Sequence, residues 1–416
     1  MSAENSRDCE LDAEIFGPLA SIPAHSLILL ASEIQKKNLN TQASTSSLVA
    51  RVGGSFNIAH IIRLDNLKMV IRVPATGWGN GMTDTAARAI RSQVITLRLI
   101  KCQTTIPVPE IYGFDTTCDN EIGAPYICMS FMPGVPVSKA WFDHLDPRLD
   151  ARRLRILTSL SQALAQLSKF SFKKIGSLQD TEKEPLIVGP CYDWRENDDG
   201  RLSVVASGPY DTTSAYLREN SAARDGKDVW GIAESKILDI VVPCLPTGHP
   251  DEGFVLSVPD LDSQNVLVDE EGNVTGIIDW DHVQTLPRCV GYCRFPSWIT
   301  RDWDPLMYGW PKMKESENSP EELQRYREHF DREMGAALGW KEDWVYTKKS
   351  HIREAVWIAT LNSQNRLEIC RKMVKVIMEA QEEKADALDV IYDLGSGHLG
   401  EQEWRDLKQK LEALVS

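Results

Sequence analysis

The stretch FVLSVPDLDSQNVLVDEEGNVTGIIDWDHV, residues 254–283, constrains this chain more than any other. It carries Asp260, then Asn265 five residues on, then Asp279 a further fourteen residues along. Two apolar runs, 266–268 and 274–278, flank an acidic, glycine-containing turn at 269–273, a pattern that predicts a β-hairpin. Such a hairpin carries Asn265 and Asp279 toward one place. Phosphoryl transfer from a metal nucleotide needs a carboxylate to orient the attacking hydroxyl and two oxygen ligands to hold Mg²⁺ on the phosphates. Asp260, Asn265 and Asp279 are residue types able to supply those three groups.

Composition narrows the alternatives. With 416 residues and 42% apolar content, the chain can bury one full core or two lobes sharing one. A formal net charge of -14 disfavours a nucleic-acid partner, which needs a basic face, and suits a cationic small molecule. Apolar runs such as 237–245 are short and interrupted, far from the roughly 20 residues a membrane-spanning helix requires. The polar, acidic opening MSAENSRDCELDAE has neither signal nor transit character, so a cytoplasmic location is expected. Nine cysteines, an odd number without a CxxC pair, read as reduced core thiols. No HExxH or GxSxG occurs, so zinc-enzyme and hydrolase readings lack support, and His60 and His282 read as structural.

Periodicity gives the organisation. Residues 1–46 form an N-terminal extension with one amphipathic stretch, 26–37. From residue 47 the pattern turns to strands at 47–52, 56–64 and 69–73, separated by Gly53-Gly54 and Asp65-Asn66, which is a meander. A helix is predicted over 83–100, followed by the breaker IPVPEIYG, a buried strand at 125–131 and a turn at Met132-Pro133-Gly134. Beyond lie a long helix at 147–169 and an insertion, about 176–250, with short strands and one helix around 192–217. The last third reads as helices at 320–338, 348–361, 365–388 and 402–414.

On these residues the chain resembles the aminoglycoside phosphotransferase-like small-molecule kinases, and within them a fungal-type branch. The family's usual HxDxxxxN followed by IDW or IDF stands here as VPDLDSQN followed by IDWD. A decoy, His249-Pro250-Asp251, is rejected because Leu256 lies where the metal-binding Asn belongs. The resemblance implies an α+β, bilobal protein-kinase-like fold, with a small β-rich N-lobe at 47–133 and a larger, mostly helical C-lobe at 134–416. It implies ATP and Mg²⁺ as cofactors and a small-molecule hydroxyl, on an amine-containing acceptor for instance, as substrate. Asp260 falls on the catalytic Asp, and Asn265 and Asp279 on the metal ligands. Gly53, Gly54, Ser55, Phe56 and Asn57 take the place of the nucleotide-positioning loop, and Arg72 that of the phosphate-binding cation.

Three supporting positions depart from the family pattern. Val258 replaces the catalytic-loop His, Gln93 the helix Glu that pairs with the phosphate-binding cation, and Ser130 the acid at the lobe junction. Ser130 and Met132 remain candidate adenine contacts through a backbone-led junction. Trp280 would pack the turn after Asp279, while Asp281 reads equally as a supporting carboxylate or as surface charge. Altered supports around intact metal and catalytic positions leave two functions open: an ATP-dependent small-molecule phosphotransferase, or a weakened pseudokinase that senses a nucleotide or metabolite. The stretch LPRCVGYCRFPSWITRDWDP resembles the fungal group's continuation, and no APE-like segment for docking a protein substrate follows.

Overall fold

The computed structural model describes residues 14–41, 43–180, 186–197, 200–224, 226–246, 253–380 and 386–416. Its contacts divide the chain into two units: Met1–Gly134 with Gly176–Pro209 and Thr275–Gln284, and Val135–Ile175 with Tyr210–Val274 and Thr285–Ser416. Two pieces of the expected C-lobe therefore group with the N-terminal unit. The decoy His249-Pro250-Asp251 lies outside the described residues.

The first unit is built on a five-stranded sheet. Strands β1 (Ser46–Gly53), β2 (Asn57–Leu64) and β3 (Leu67–Pro74) form the predicted antiparallel meander. Beside β3 lies β5 (Tyr126–Ser130), and β4 (Ile111–Asp115) closes the edge, giving the order β1-β2-β3-β5-β4. Alternation along β2 turns Ile58, His60, Ile62 and Leu64 to one buried face, as the period of two requires. Helix α1 (Ala24–Leu39) follows Pro23 and ends at Asn40 in the left-handed conformation, a common way to stop a helix. Its Leu27, Leu30, Ala31 and Ile34 share one core with Ile58, Ile62 and Leu64. The described part of the expected extension thus covers the sheet.

Helix α2 (Asp84–Gln103) starts at Thr83, whose hydroxyl accepts from the Ala86 amide. Against it packs a hairpin of Cys191–Glu196 and Leu202–Ser207, with Tyr192 and Val204 buried beside Ala86 and Ala89. That apolar contact draws part of the insertion into the first unit. Tyr192, expected near a helix, stands in a strand; among the described residues the helices of the insertion are Thr213–Asn220 and Val229–Val241.

The second unit is mainly helical. Leu149–Ala165 packs with Pro320–Ala337, where Arg153 donates to the Tyr326 hydroxyl at 3.1 Å and Trp141 meets the Tyr326 ring edge-on. A reciprocal Ser319–Glu322 capping box starts Pro320–Ala337. Ser350–Leu361, Arg366–Glu379, Ala387–Ser396 and Glu401–Val415 follow. The single helix predicted over 365–388 therefore stops at Glu379, and a new one begins after Asp386, whose side chain caps it through the Leu388 amide. Among the described residues no single helix is long and apolar enough to cross a membrane.

Candidate active site

In the second unit the chain enters the site through the buried strand Val255–Ser257 and the fully buried Val258. Asp260 then emerges on a turn with its residue exposed, while Asn265 is 7% exposed. The Asn265 side-chain amide nitrogen donates to the Asp260 carboxylate at 2.8 Å and to its backbone carbonyl at 3.2 Å. One side chain thereby orients both ends of the candidate catalytic residue. Beyond Val266–Val268, which pairs with Val135–Pro136, the predicted turn closes through Asp269. The Asp269 amide donates to Asn273 O at 3.0 Å, and its carboxylate accepts from the Asn273 amide at 2.7 Å.

In the first unit, Asp279 holds the left-handed backbone, φ 60°, that non-glycine residues seldom adopt and that is found preferentially at functional sites. Trp280, 1% exposed, donates its indole N–H to Ile277 O at 2.9 Å and so fixes the turn from inside, as its position in the sequence suggested. The carboxylate of Asp279 keeps 39% exposure and accepts from Arg72 Nη2 at 2.5 Å. The other guanidinium nitrogen, Nη1, donates to Asp281, whose second oxygen accepts from Asn57 Nδ2 at 2.7 Å. Burial pulls the Arg72 pKa down, but the charges of Asp281 and then Asp279 outweigh it and leave it raised. Asp281, left open by the sequence, is thus a charge partner of the candidate phosphate-binding cation.

Gln93 takes no part in that pairing. It lines, with Asn57, Arg72, Asp281 and His282, a recess walled by Pro74, Ile90 and Trp194 among others. The nucleotide-loop candidates form the tight link between β1 and β2, where the Gly54 amide donates to Asn57 O at 2.9 Å and leaves Ser55 and Phe56 at the tip. Phe56 stacks face to face on Trp194, with centroids 4.9 Å apart and planes 4° from parallel. Trp194 in turn meets His282 at 4.7 Å. Burial lowers the pKa of His282 against the opposing pull of Asp281. Nothing in the sequence pattern marked Trp194, because its meaning depends on where the insertion packs.

Ser130 closes β5 and ties it to the segment before β4: its hydroxyl accepts from the Glu110 amide at 2.9 Å, and its own amide donates to Glu110 O. The same hydroxyl approaches Met132 Sδ at 3.8 Å. His60 lies on the buried face of β2, consistent with a structural role. Among the described cysteines all are free thiols, and burial raises that of Cys128 to about 12.

Comparison with known proteins gives the same region a family. A model described as Phosphotransferase enzyme family matches residues 65–290, more than half of the chain. The matched span takes in Arg72, Gln93, Ser130, Met132, Asp260, Asn265 and Asp279 and begins after the Gly53–Asn57 link. A subtelomeric hrmA-associated cluster protein of Aspergillus fumigatus is 28% identical over 33% of this chain and 27% of its own length. The clavilactone A biosynthesis cluster protein Y of Ampulloclitocybe clavipes is 26% identical over 51% of this chain and 53% of its own. The chain thus spans between about a quarter and about half of these two curated relatives. Among solved structures, an aminoglycoside phosphotransferase crystallised with AMP-PNP and hygromycin B is similar at 12% identity and a TM-score of 0.42, covering 92% of this chain and 97% of that one.

Proposed function

We propose that this chain, which belongs to the phosphotransferase enzyme family, transfers the γ-phosphate of ATP to a hydroxyl of a small molecule. The observation that carries the reading is the Asp260–Asn265 arrangement, an exposed carboxylate oriented by a buried amide on a loop leading into buried strands. In such a reaction the transition state is loose, so positioning and charge stabilisation contribute more than base strength. Asp260 would orient the acceptor hydroxyl and take its proton. Arg72 would bind phosphate oxygens with its planar fork, and the Gly53–Asn57 link would cover them.

The donor set suits Mg²⁺. Asn265 spends its nitrogen on Asp260, which leaves Oδ1 as the atom of that side chain able to bind a hard cation. Asp279 offers a partly exposed carboxylate. Each is by type a hard oxygen donor of the kind Mg²⁺ takes when it neutralises phosphate charge.

The acceptor class is inferred from chemistry and kinship. A net charge of -14 favours a cationic or amine-bearing molecule. The fungal relatives support the fungal-type branch, and the clavilactone cluster protein among them favours a hydroxylated specialised metabolite. A second reading, a nucleotide-sensing pseudokinase, is favoured by the substitutions Val258, Gln93 and Ser130.

The test combines thermal shift with turnover. The transferase reading expects ATP to raise the melting temperature in a Mg²⁺-dependent way, since a ligand stabilises the state it binds. It also expects Asp260→Ala to keep that shift but lose ATP consumption, and Asp279→Ala to lose the Mg²⁺-dependent part. A wild-type protein that binds MgATP yet consumes it no faster than Asp260→Ala would establish the sensor reading instead.

A further inference from the structure

The buried Val258 cannot make the hydrogen bonds that a histidine at the head of the catalytic loop supplies. Backbone carbonyls in a buried loop still require donors. In the second unit those donors come from a segment more than thirty residues downstream. Arg294, 7% exposed, donates Nη2 to Val258 O at 2.9 Å and to Pro259 O at 3.4 Å. Its Nη1 donates to Ser257 Oγ at 2.8 Å, and that hydroxyl donates onward to Val290 O. One guanidinium therefore holds the residues at 257, 258 and 259, immediately before Asp260.

The far side of Asp260 is held from the same segment. The Ser297 amide donates to Leu261 O at 3.0 Å, and its hydroxyl donates to the Asp262 carboxylate at 2.6 Å. The segment is itself anchored on helix Ser350–Leu361. Arg294 Nε pairs with Glu354 at 2.9 Å, and the Phe295 amide donates to the Ser350 hydroxyl at 3.0 Å. Asp260 is the residue left exposed between the two sets of bonds.

We propose that Arg294, backed by Glu354 and assisted by Ser297, is the positioning residue of the catalytic loop and takes over the support that Val258 cannot give. A planar guanidinium with five donors can serve two carbonyls, a hydroxyl and a carboxylate at once, which neither Val nor Lys can do. The proposal rests on the transferase reading for its effect on rate, while the loop geometry it describes is independent of that reading.

The experiment compares wild type, Arg294→Met, Arg294→Lys, Ser297→Ala and Asp260→Ala in the full chain, with two readouts. The first is ATP turnover with its split into kcat and KM for MgATP. A displaced near-attack geometry is expected to lower kcat about 10- to 100-fold in Arg294→Met with KM little changed, with Arg294→Lys intermediate. The second is amide hydrogen exchange at residues 260–262, expected to quicken in Arg294→Met and, more mildly, in Ser297→Ala. If Arg294→Met does not fold, Ser297→Ala, which removes a single hydroxyl, carries both readouts. Unchanged exchange in the variant that folds overturns the proposal whatever the turnover. If wild type exceeds Asp260→Ala in turnover and both positioning variants match wild type, the proposal also fails. Wild type equal to Asp260→Ala overturns the transferase reading alone, and the exchange readout then decides the loop.

Discussion

Arg72 on β3 is held by Asp281, two residues beyond Asp279, and not by the side chain at position 93 on helix α2. A cation that binds phosphates needs a fixed orientation, and in kinase-like proteins a helix Glu provides it. Here the neutral Gln93 stands at that place, and the charge comes from the segment that also carries Asp279. Orientation of the cation and placement of the candidate metal ligand are thereby coupled through the tripeptide Asp279-Trp280-Asp281.

Asp281→Ala removes one charge-assisted bond to Arg72 and the acceptor for Asn57. The expected loss is about 1.5–3 kcal/mol of folding stability, read by urea denaturation, together with weaker MgATP binding in calorimetry. Adding Gln93→Glu should restore part of the affinity, because both side chains face the recess that contains Arg72. Affinity unchanged by Asp281→Ala would remove Asp281 from the site.

These relationships divide by range along the chain. Asp260, Asn265 and Asp279 could be singled out as candidates because they stand at short, fixed spacing among apolar runs. The meander was legible because β-rich runs are separated by Gly53-Gly54 and Asp65-Asn66, whereas β4 was hidden by Pro107 and Pro109 just before it, which read as a breaker. The role of Asp281 and the contact of Trp194 with Phe56 depend on residues far apart in sequence, and no local period encodes such a meeting. Helix α1 showed its amphipathic pattern but not the sheet it covers, since periodicity reports a face and not its partner.

The bond from Asn265 to Asp260 gives a prediction in pH. Asn265→Asp replaces the donor with a second carboxylate within hydrogen-bonding reach of the first. Two carboxylates so placed cannot both ionise easily, so the pKa of one rises. The acid limb of the pH–rate profile for ATP turnover should move to higher pH, with a lower rate at neutrality. An unshifted limb would dissociate Asn265 from the ionisation of the candidate catalytic carboxylate.

The stack of Phe56 on Trp194 ties the tip of the β1–β2 link to the inserted hairpin. Parallel aromatic pairs contribute about 0.5–1.5 kcal/mol beyond the area they bury. A double-mutant cycle of Phe56→Ala and Trp194→Ala, measured by chemical denaturation, should return a coupling energy in that range. Trp194→Ala should also expose the link to proteolysis at Ser55 or Phe56. A coupling near zero would mean that the rings touch without holding the link.

His60 sets the behaviour of the first unit toward acid. Its side chain is fully buried on the inner face of β2, and neither ring nitrogen has a hydrogen-bond partner. Burial, reinforced by Arg51, lowers its pKa from 6.5 to about 4. Between those two values the unfolded chain binds a proton that the folded one refuses, so stability is full above pH 6.5 and falls as the pH drops toward 4. The shift corresponds to about 3 kcal/mol lost across that window, at 1.36 kcal/mol per unit. His282 and His351, also lowered by burial, add to the slope in the same sense. His60→Leu removes this buried, unpartnered imidazole and should flatten the decline in melting temperature between pH 7 and pH 5. A variant that loses stability with acid as steeply as wild type would assign the slope to the other histidines.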